Sequence, residues 1–277
     1  MNNNGNQRSF LKWAGSKYNI IENIKSALPP SKKLIECFAG SCSVFINTNY
    51  ESYLINDLNE DLVNLFMCVK ENPEVFVKEA RVLFTSCNNN EKQYYELRNE
   101  FNQSPDSLRK SALFLYLNRH GYNGLCRYNQ SGGFNVPFGR YIAPVFPEEA
   151  LYYFALKSKK AKFTAEHFSR TFARARKGNV LFCDPPYAKY SETAKFTAYT
   201  KNGFSYKEQA QLASLAEKAS QRGVGVIITN HDTVEMRELY HKADTIQSLK
   251  VQRSISCKGD NRGHANEIIV TYNAVKS

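Results

Sequence analysis

The segment Asp184-Pro185-Pro186-Tyr187 carries the most pointed chemistry in this chain. It follows the apolar run 179–183 (NVLFC), which reads as a buried strand. Two prolines fix φ and remove two backbone donors. The turn therefore presents acceptors, the Asp184 carboxylate and carbonyl oxygens such as that of Pro185. A substrate amino group has two hydrogens and needs two acceptors to hold them. Tyr187 adds a flat surface on which a ring can stack. A proline-rich turn around a buried tyrosine is the plain structural alternative.

A second constellation lies nearer the amino terminus. Residues 33–38 (KLIECF) read as a strand, Ala39-Gly40-Ser41 as a tight turn, and a helix follows. Residues 52–57 (SYLIND) form a second strand ending on an acid, Asp57. A turn at a strand's carboxyl end lets backbone N–H groups approach a ligand closely. An acid ending the next strand, roughly 20 residues on, can accept both hydroxyls of a ribose. The loop has a single glycine, Gly40, where a dinucleotide loop has three, so an ordinary α/β turn explains it equally well.

The elements that must position these groups show in the hydrophobic period. Residues 61–70, 75–84, 94–101 and 108–118 have helical spacing, and no strand signal interrupts them. Residues 121–140 (GYNGLCRYNQSGGFNVPFGR) are rich in Gly, Asn, Tyr and Arg, with a hairpin turn at Ser131-Gly132-Gly133. Residues 206–221 read as an amphipathic helix and 224–230 as a strand. Residues 245–251 and 266–272 fit a closing antiparallel pair. Strands alternating with helices imply an α/β, doubly wound sheet. The helical stretch 58–147 then reads as an insertion, leaving 1–57 and 148–277 as the catalytic domain.

Several features take the plainer reading. Residues 1–9 are polar and Asn-rich, as a loose tail would be. Tyr94, Tyr95 and Phe101 lie at helical spacing and read as core, not as a base-stacking platform. The lysine run 157–162 (KSKKAK) reads as a solvated face, with phosphate contact as the alternative. His231 reads as a structural polar residue at a strand end.

The chain has 277 residues, 42% of them hydrophobic, and a formal net charge of +11. That is enough to bury a core, and the charge points to a polyanion, usually nucleic acid. No leader-like segment and no apolar run long enough for a bilayer is evident, which predicts a cytoplasmic protein. The seven cysteines are irregularly spaced, with no C-x-x-C and no matching histidine pattern, so reduced thiols are expected and no metal.

Residues 10–18 (FLKWAGSKY), 36–45 (ECFAGSCSVF), the insertion and the DPPY turn occur in the order of amino-group DNA methyltransferases whose recognition domain lies between cofactor and catalytic motifs. Longer runs join them: 117–129 (LNRHGYNGLCRYN), 134–141 (FNVPFGRY), 196–199 (FTAY), 229–233 (TNHDT) and 253–256 (RSIS). With these the chain closely resembles the Dam family of DNA adenine methyltransferases. The resemblance implies a mostly parallel, seven-stranded methyltransferase sheet with an inserted, mainly helical DNA-recognition domain and a β-hairpin. It implies methyl transfer from S-adenosylmethionine to N6 of adenine in double-stranded DNA at GATC, by base flipping and direct displacement.

The implied cofactor residues are Trp13, Lys17, Glu36, Gly40, Asp57 and Asp184. The implied catalytic residues are Asp184, Pro185 and Tyr187, the last stacking on the flipped adenine. In DNA binding, Arg127 would read a guanine, and Leu125 and Pro137 would meet a thymine methyl. Lys12 and Tyr141 would serve the other outer base pair, Tyr122 and Asn123 would fill or guard the gap left by flipping, and Arg140 would join the DNA contacts. A nucleoid-associated protein is implied, with neither a membrane nor an obligate protein partner.

Four positions depart from the family pattern. Cys37 and Cys42 stand where a proline and a second glycine are usual, Ser16 where glycine is common, and Ile142 where a basic residue is common. A negative φ at Cys42 would leave that turn unstrained, and Cys42 is expected to be tolerated and not catalytic. Two rival functions are methylation of another planar amide or amine, such as a protein glutamine or an RNA base, and DNA binding without catalysis.

Overall fold

The computed structural model describes residues 5–186, 204–252 and 264–273. In chain order its elements are α1 (Ile21–Ala27), β1 (Lys33–Glu36), α2 (Ser43–Asn47), β2 (Ser52–Asn56), α3 (Glu60–Glu71), α4 (Pro73–Arg81), α5 (Glu91–Gln103) and α6 (Ser107–His120). They continue as α7 (Glu148–Ser158), β3 (Ala161–Thr164), α8 (Phe168–Arg174), β4 (Val180–Cys183), α9 (Tyr206–Gln221), β5 (Gly225–His231), α10 (Val234–Leu239), β6 (Thr245–Gln252) and β7 (His264–Tyr272).

Local chemistry sets the helix starts. Side-chain oxygens of Asn59, Asn90 and Asp106 accept the amides of Leu62, Gln93 and Arg109, capping α3, α5 and α6. Pro73 opens α4, where a missing N–H costs nothing. Ser205 and Glu208 form a reciprocal capping box at the start of α9.

The strands make a seven-stranded sheet in the order β3-β2-β1-β4-β5-β7-β6. It is mixed, not simply parallel: β1 pairs parallel with β2 and β4, and β4 with β5, whereas β7 runs antiparallel to both β5 and β6.

The chain groups into two compact units. The first holds residues 1–18, 40–49 and 57–165, and the second 19–39, 50–56 and 166–277. In the first, Phe10, Phe66 and Phe163 gather around Phe154, with ring centroids 5.0, 5.1 and 5.9 Å from it. Every residue from Ser111 to Asn118 on α6 is buried. Tyr94 and Phe101 on α5 are buried too, as core.

In the second unit Ile35, Leu181, Val226, Ile228, Ile268 and Val270 pack against Leu212 and Ala216 of α9. The strands β1, β4 and β5 are buried on both faces, so they read as continuous apolar runs. Glu36↔Phe182 is the last register pair of β1 and β4, so these parallel strands deliver their carboxyl ends to the same sheet edge.

Two polar segments are more tightly held than their composition suggests. Gln7 and Asn47 exchange hydrogen bonds of 2.8 and 2.9 Å, which fastens that part of the expected tail. Lys157 is half-buried on α7 and its Nζ donates to the carbonyl of Thr48. Its neighbours Lys159, Lys160 and Lys162 are exposed, so only part of the lysine run is a solvated face.

Candidate active site

Asp184 follows β4 directly, and its Oδ1 accepts the hydroxyl of Thr229, on neighbouring β5, at 2.8 Å. That bond fixes the orientation of the carboxylate. Pro185 is buried and Pro186 exposed, and neither can donate a backbone N–H. Tyr187 lies outside the described residues. Glu36 ends β1 and is buried. The carbonyl of Cys37 is held by Asn56 Nδ2 at 3.1 Å and its Sγ by Thr171 Oγ1 at 3.1 Å. Burial first, then Cys37 and Asp184, pushes the Cys183 thiol well above the ordinary range. A thiol so disfavoured as thiolate is a poor nucleophile.

The Gly40 turn belongs to the first unit. The amide of Gly40 donates to Asp57 Oδ2 at 2.9 Å, and that of Asn59 donates to Oδ1 at 3.0 Å. Burial raises the Asp57 pKa, and these amides together with that of Leu58 oppose the shift. Gly40 has φ +47°, and a Cβ there would come within 2.7 Å of Trp13 Nε1. Glycine is thus required twice, by the backbone and by the indole over it. Ser43 Oγ bonds both Ser16 Oγ and Ser41 Oγ, at 2.8 and 2.9 Å. Lys17 is buried and donates to the Gly15 carbonyl at 3.2 Å. Cys42 is buried with φ +59°, so the negative φ that would have spared this turn strain is not the conformation present.

The expected DNA-reading residues fall into two groups within the first unit. Residues 121–138 form a hairpin with antiparallel bridges Tyr128↔Phe134 and Gly121↔Phe138. Asn129 Oδ1 closes its tip by accepting the amides of Ser131 and Gly133, with Gly132 at φ +79°. On this hairpin Arg127 is exposed, and its guanidinium donates to Oδ1 and the carbonyl of Asn135 at 2.8 and 3.1 Å. Pro137 is exposed, Leu125 is half-buried, and the Tyr122 amide donates to the Pro137 carbonyl.

The second group centres on Lys12. Its Nζ lies 3.8 Å from the centroid of the Tyr141 ring and donates to the Arg119 carbonyl. Tyr141 OH accepts the amide of Asn123 at 2.9 Å, with Asn123 at φ +54°. Burial first, then Arg119, lowers the Lys12 pKa. Arg140 is exposed at φ +54°, 3.6 Å from Glu91.

Four supporting residues were not singled out from sequence. Thr229 orients Asp184. Asn135 braces Arg127. Asn118 bonds Lys12 on both its amide and its carbonyl. Asn59 holds Asp57. The first three sit inside the unusual runs TNHDT, FNVPFGRY and LNRHGYNGLCRYN, which was the available signal. Asn59 had only the signature of a helix cap.

An acceptor-rich turn at a strand's carboxyl end, beside the Cys183 thiol held protonated, suits an α/β transferase that acts on an amino group. Residues 13–255 match the family described as D12 class N6 adenine-specific DNA methyltransferase. The chain belongs to this family and is an adenine-specific DNA methyltransferase. Proteins named DNA adenine methylase are similar to it over nearly their whole length. One from Serratia marcescens is 50% identical over 96% of this chain and 98% of its own. That from Escherichia coli K12 is 48% identical over 96% and 95%. One from Vibrio cholerae serotype O1 is 47% identical over 96% of each chain.

Proposed function

We propose that this enzyme transfers a methyl group from S-adenosylmethionine to N6 of adenine within GATC of double-stranded DNA, by direct displacement on a flipped-out base. Asp184 carries the reading: a carboxylate at the end of β4, oriented by the Thr229 hydroxyl and followed by two residues without N–H groups.

The donor set fits the proposed methyl donor. The Asp57 carboxylate is pinned by two amides, and its oxygens keep lone pairs for a pair of vicinal hydroxyls. Gly40 admits close approach beneath the Trp13 indole, and Lys17 and Glu36 supply buried charge in their respective units. When bound, S-adenosylmethionine supplies a sulfonium methyl already activated toward a nucleophile. The protein therefore needs no covalent intermediate; it must align the amine and exclude water.

Asp184 and the Pro185 carbonyl accept the two hydrogens of the amine and stabilise the positive charge developing on nitrogen. The base must leave the stack at a cost of a few kcal/mol. Stacking on Tyr187 offsets part of that, by roughly 1–3 kcal/mol. Within the recognition segment 58–147, Arg127 reads guanine, Leu125 and Pro137 meet thymine, and Tyr122 and Asn123 guard the gap. Lys12, Tyr141 and Arg140 complete the contacts.

The test is Asp184→Ala. Loss of a group that stabilises developing charge costs on the order of 10²–10³ in rate. The single-turnover rate on a GATC duplex should fall that far while the melting temperature is kept. Retention of more than about a tenth of the rate would sink the assignment.

A further inference from the structure

The hairpin strand that carries Arg127 has a second face. Alternate residues of an extended strand point opposite ways, so Cys126 and Tyr128 lie on the side away from Arg127. Tyr128 OH donates to Asp61 Oδ2 at 2.8 Å and stands 3.4 Å from Asn59 Oδ1. Asn59 Nδ2 donates to Cys126 Sγ at 3.3 Å. Lys110 on α6 closes the cluster with a 2.9 Å ion pair to Asp61 Oδ1. Burial pushes both the Tyr128 hydroxyl and the Cys126 thiol upward, so both stay protonated, Tyr128 as a donor and Cys126 as the acceptor from Asn59.

Asn59 faces two ways. Its side chain takes up the hairpin and caps α3 through Leu62, while its backbone amide donates to Asp57 Oδ1. Asp57 in turn holds the Gly40 amide. A continuous set of hydrogen bonds thus runs from the back of the Arg127 strand to the carboxylate assigned to the ribose, all within one unit.

We propose that Asn59 is a positioning residue that couples the two sites, so that duplex on the hairpin raises affinity at Asp57 and the reverse. This rests on the assignments of Arg127 and Asp57 made above. The coupling is reciprocal by thermodynamic necessity. It works through geometry: when the hairpin settles on DNA, Cys126 and Tyr128 fix the Asn59 side chain, which fixes the amide that aims Asp57.

Trp13 is the sole tryptophan and its indole covers Gly40, so its fluorescence reports occupancy there. S-adenosylhomocysteine is titrated into the full chain with and without a GATC duplex. The ratio of the two Kd values measures coupling, which in wild type should be about fivefold or more. Asn59→Ser keeps a capping oxygen and the backbone amide but loses the reach to Cys126 and Tyr128. Its ratio should fall to nearly one, with the DNA-free Kd changed by less than about threefold. Should Asn59→Ser not melt cooperatively, Tyr128→Phe carries the test, since it keeps the ring against Phe134 and loses only the hydroxyl.

A wild-type ratio carried over unchanged into the folded variant would overturn the coupling, as would a ratio of one in wild type. A wild type that binds no S-adenosylhomocysteine at all would instead overturn the assignment of the Gly40 turn.

Discussion

At the scale of single residues, the positions that decide this enzyme are those where conformation and chemistry coincide. Cys42 illustrates it. It is a β-carbon residue in the left-handed region, which costs about 1–2 kcal/mol relative to glycine. Its buried side chain returns some of that in packing. Cys42→Gly removes both terms, whereas Cys42→Ala removes packing and keeps the strain. Cys42→Gly should therefore be more stable than Cys42→Ala by about 1 kcal/mol in urea unfolding. Both variants should transfer methyl, because no thiol takes part in direct displacement. The opposite order of stability would show that the left-handed turn is not what the native protein holds. Sequence could name Cys42 as a departure but not its φ. A turn dihedral depends on what surrounds it, here the Ser16–Ser43–Ser41 hydroxyls. The placement of Asp184 and Asp57 after strands and of Gly40 in a turn was legible in residue type, whereas their roles came from the family resemblance.

At the scale of elements, the hairpin is the part proposed to make a basic protein a reader of sequence. The turn at Ser131-Gly132-Gly133 was legible from its glycines, and the tip forms there, closed by Asn129. The bracing of Arg127 by Asn135 was not, because a cross-strand pair requires the register. Arg127→Ala should relax preference at one outer base pair, since a bidentate contact is worth roughly 1–3 kcal/mol of discrimination. The measurement compares single-turnover rates on GATC and on duplexes altered at each outer pair. Equal loss on every duplex would make Arg127 a phosphate contact. Elsewhere, α9 was legible end to end because its apolar period is long and its capping box is explicit. Strand β3 was hidden. Its alternation of buried Ala161 and Phe163 with exposed Lys162 is only four residues long and begins within a lysine run. The antiparallel end of the sheet was legible as a pair, though the mixed character of the whole depended on which strands became neighbours.

At the scale of the whole molecule, stability and charge set the working range. His120 is buried, stacked on Tyr116 at 4.0 Å between centroids, with Nδ1 on the Tyr116 carbonyl. Burial first, with Lys12 and Arg119 adding, pulls its pKa down to about 4. The native state holds the neutral ring, while the unfolded chain takes up a proton near pH 6.5. This contribution to stability is complete above about pH 6.5, is lost as pH falls toward 4, and changes no further below that. Replacing His120 with Gln should flatten the slope of unfolding free energy between pH 6.5 and 4.5 by up to about one proton. An unchanged slope would mean that His120 titrates alike in both states.

The net charge of +11 favours any polyanion, so charge does not separate DNA from RNA or one duplex from another. In the proposed mechanism that separation belongs to the hairpin and the Asp184 turn acting together, and one measurement examines both. Labelled methyl is supplied as S-adenosylmethionine, and its single-turnover incorporation is followed on a GATC duplex, on the same duplex with the site altered, and on RNA of the same sequence. The product is identified after digestion to nucleosides. N6-methyladenine should form on the GATC duplex, at a rate at least about thirtyfold above the altered duplex if two outer contacts each contribute 1–3 kcal/mol, with RNA left unlabelled. Equal incorporation into all three, or label on any atom other than adenine N6, would contradict the account.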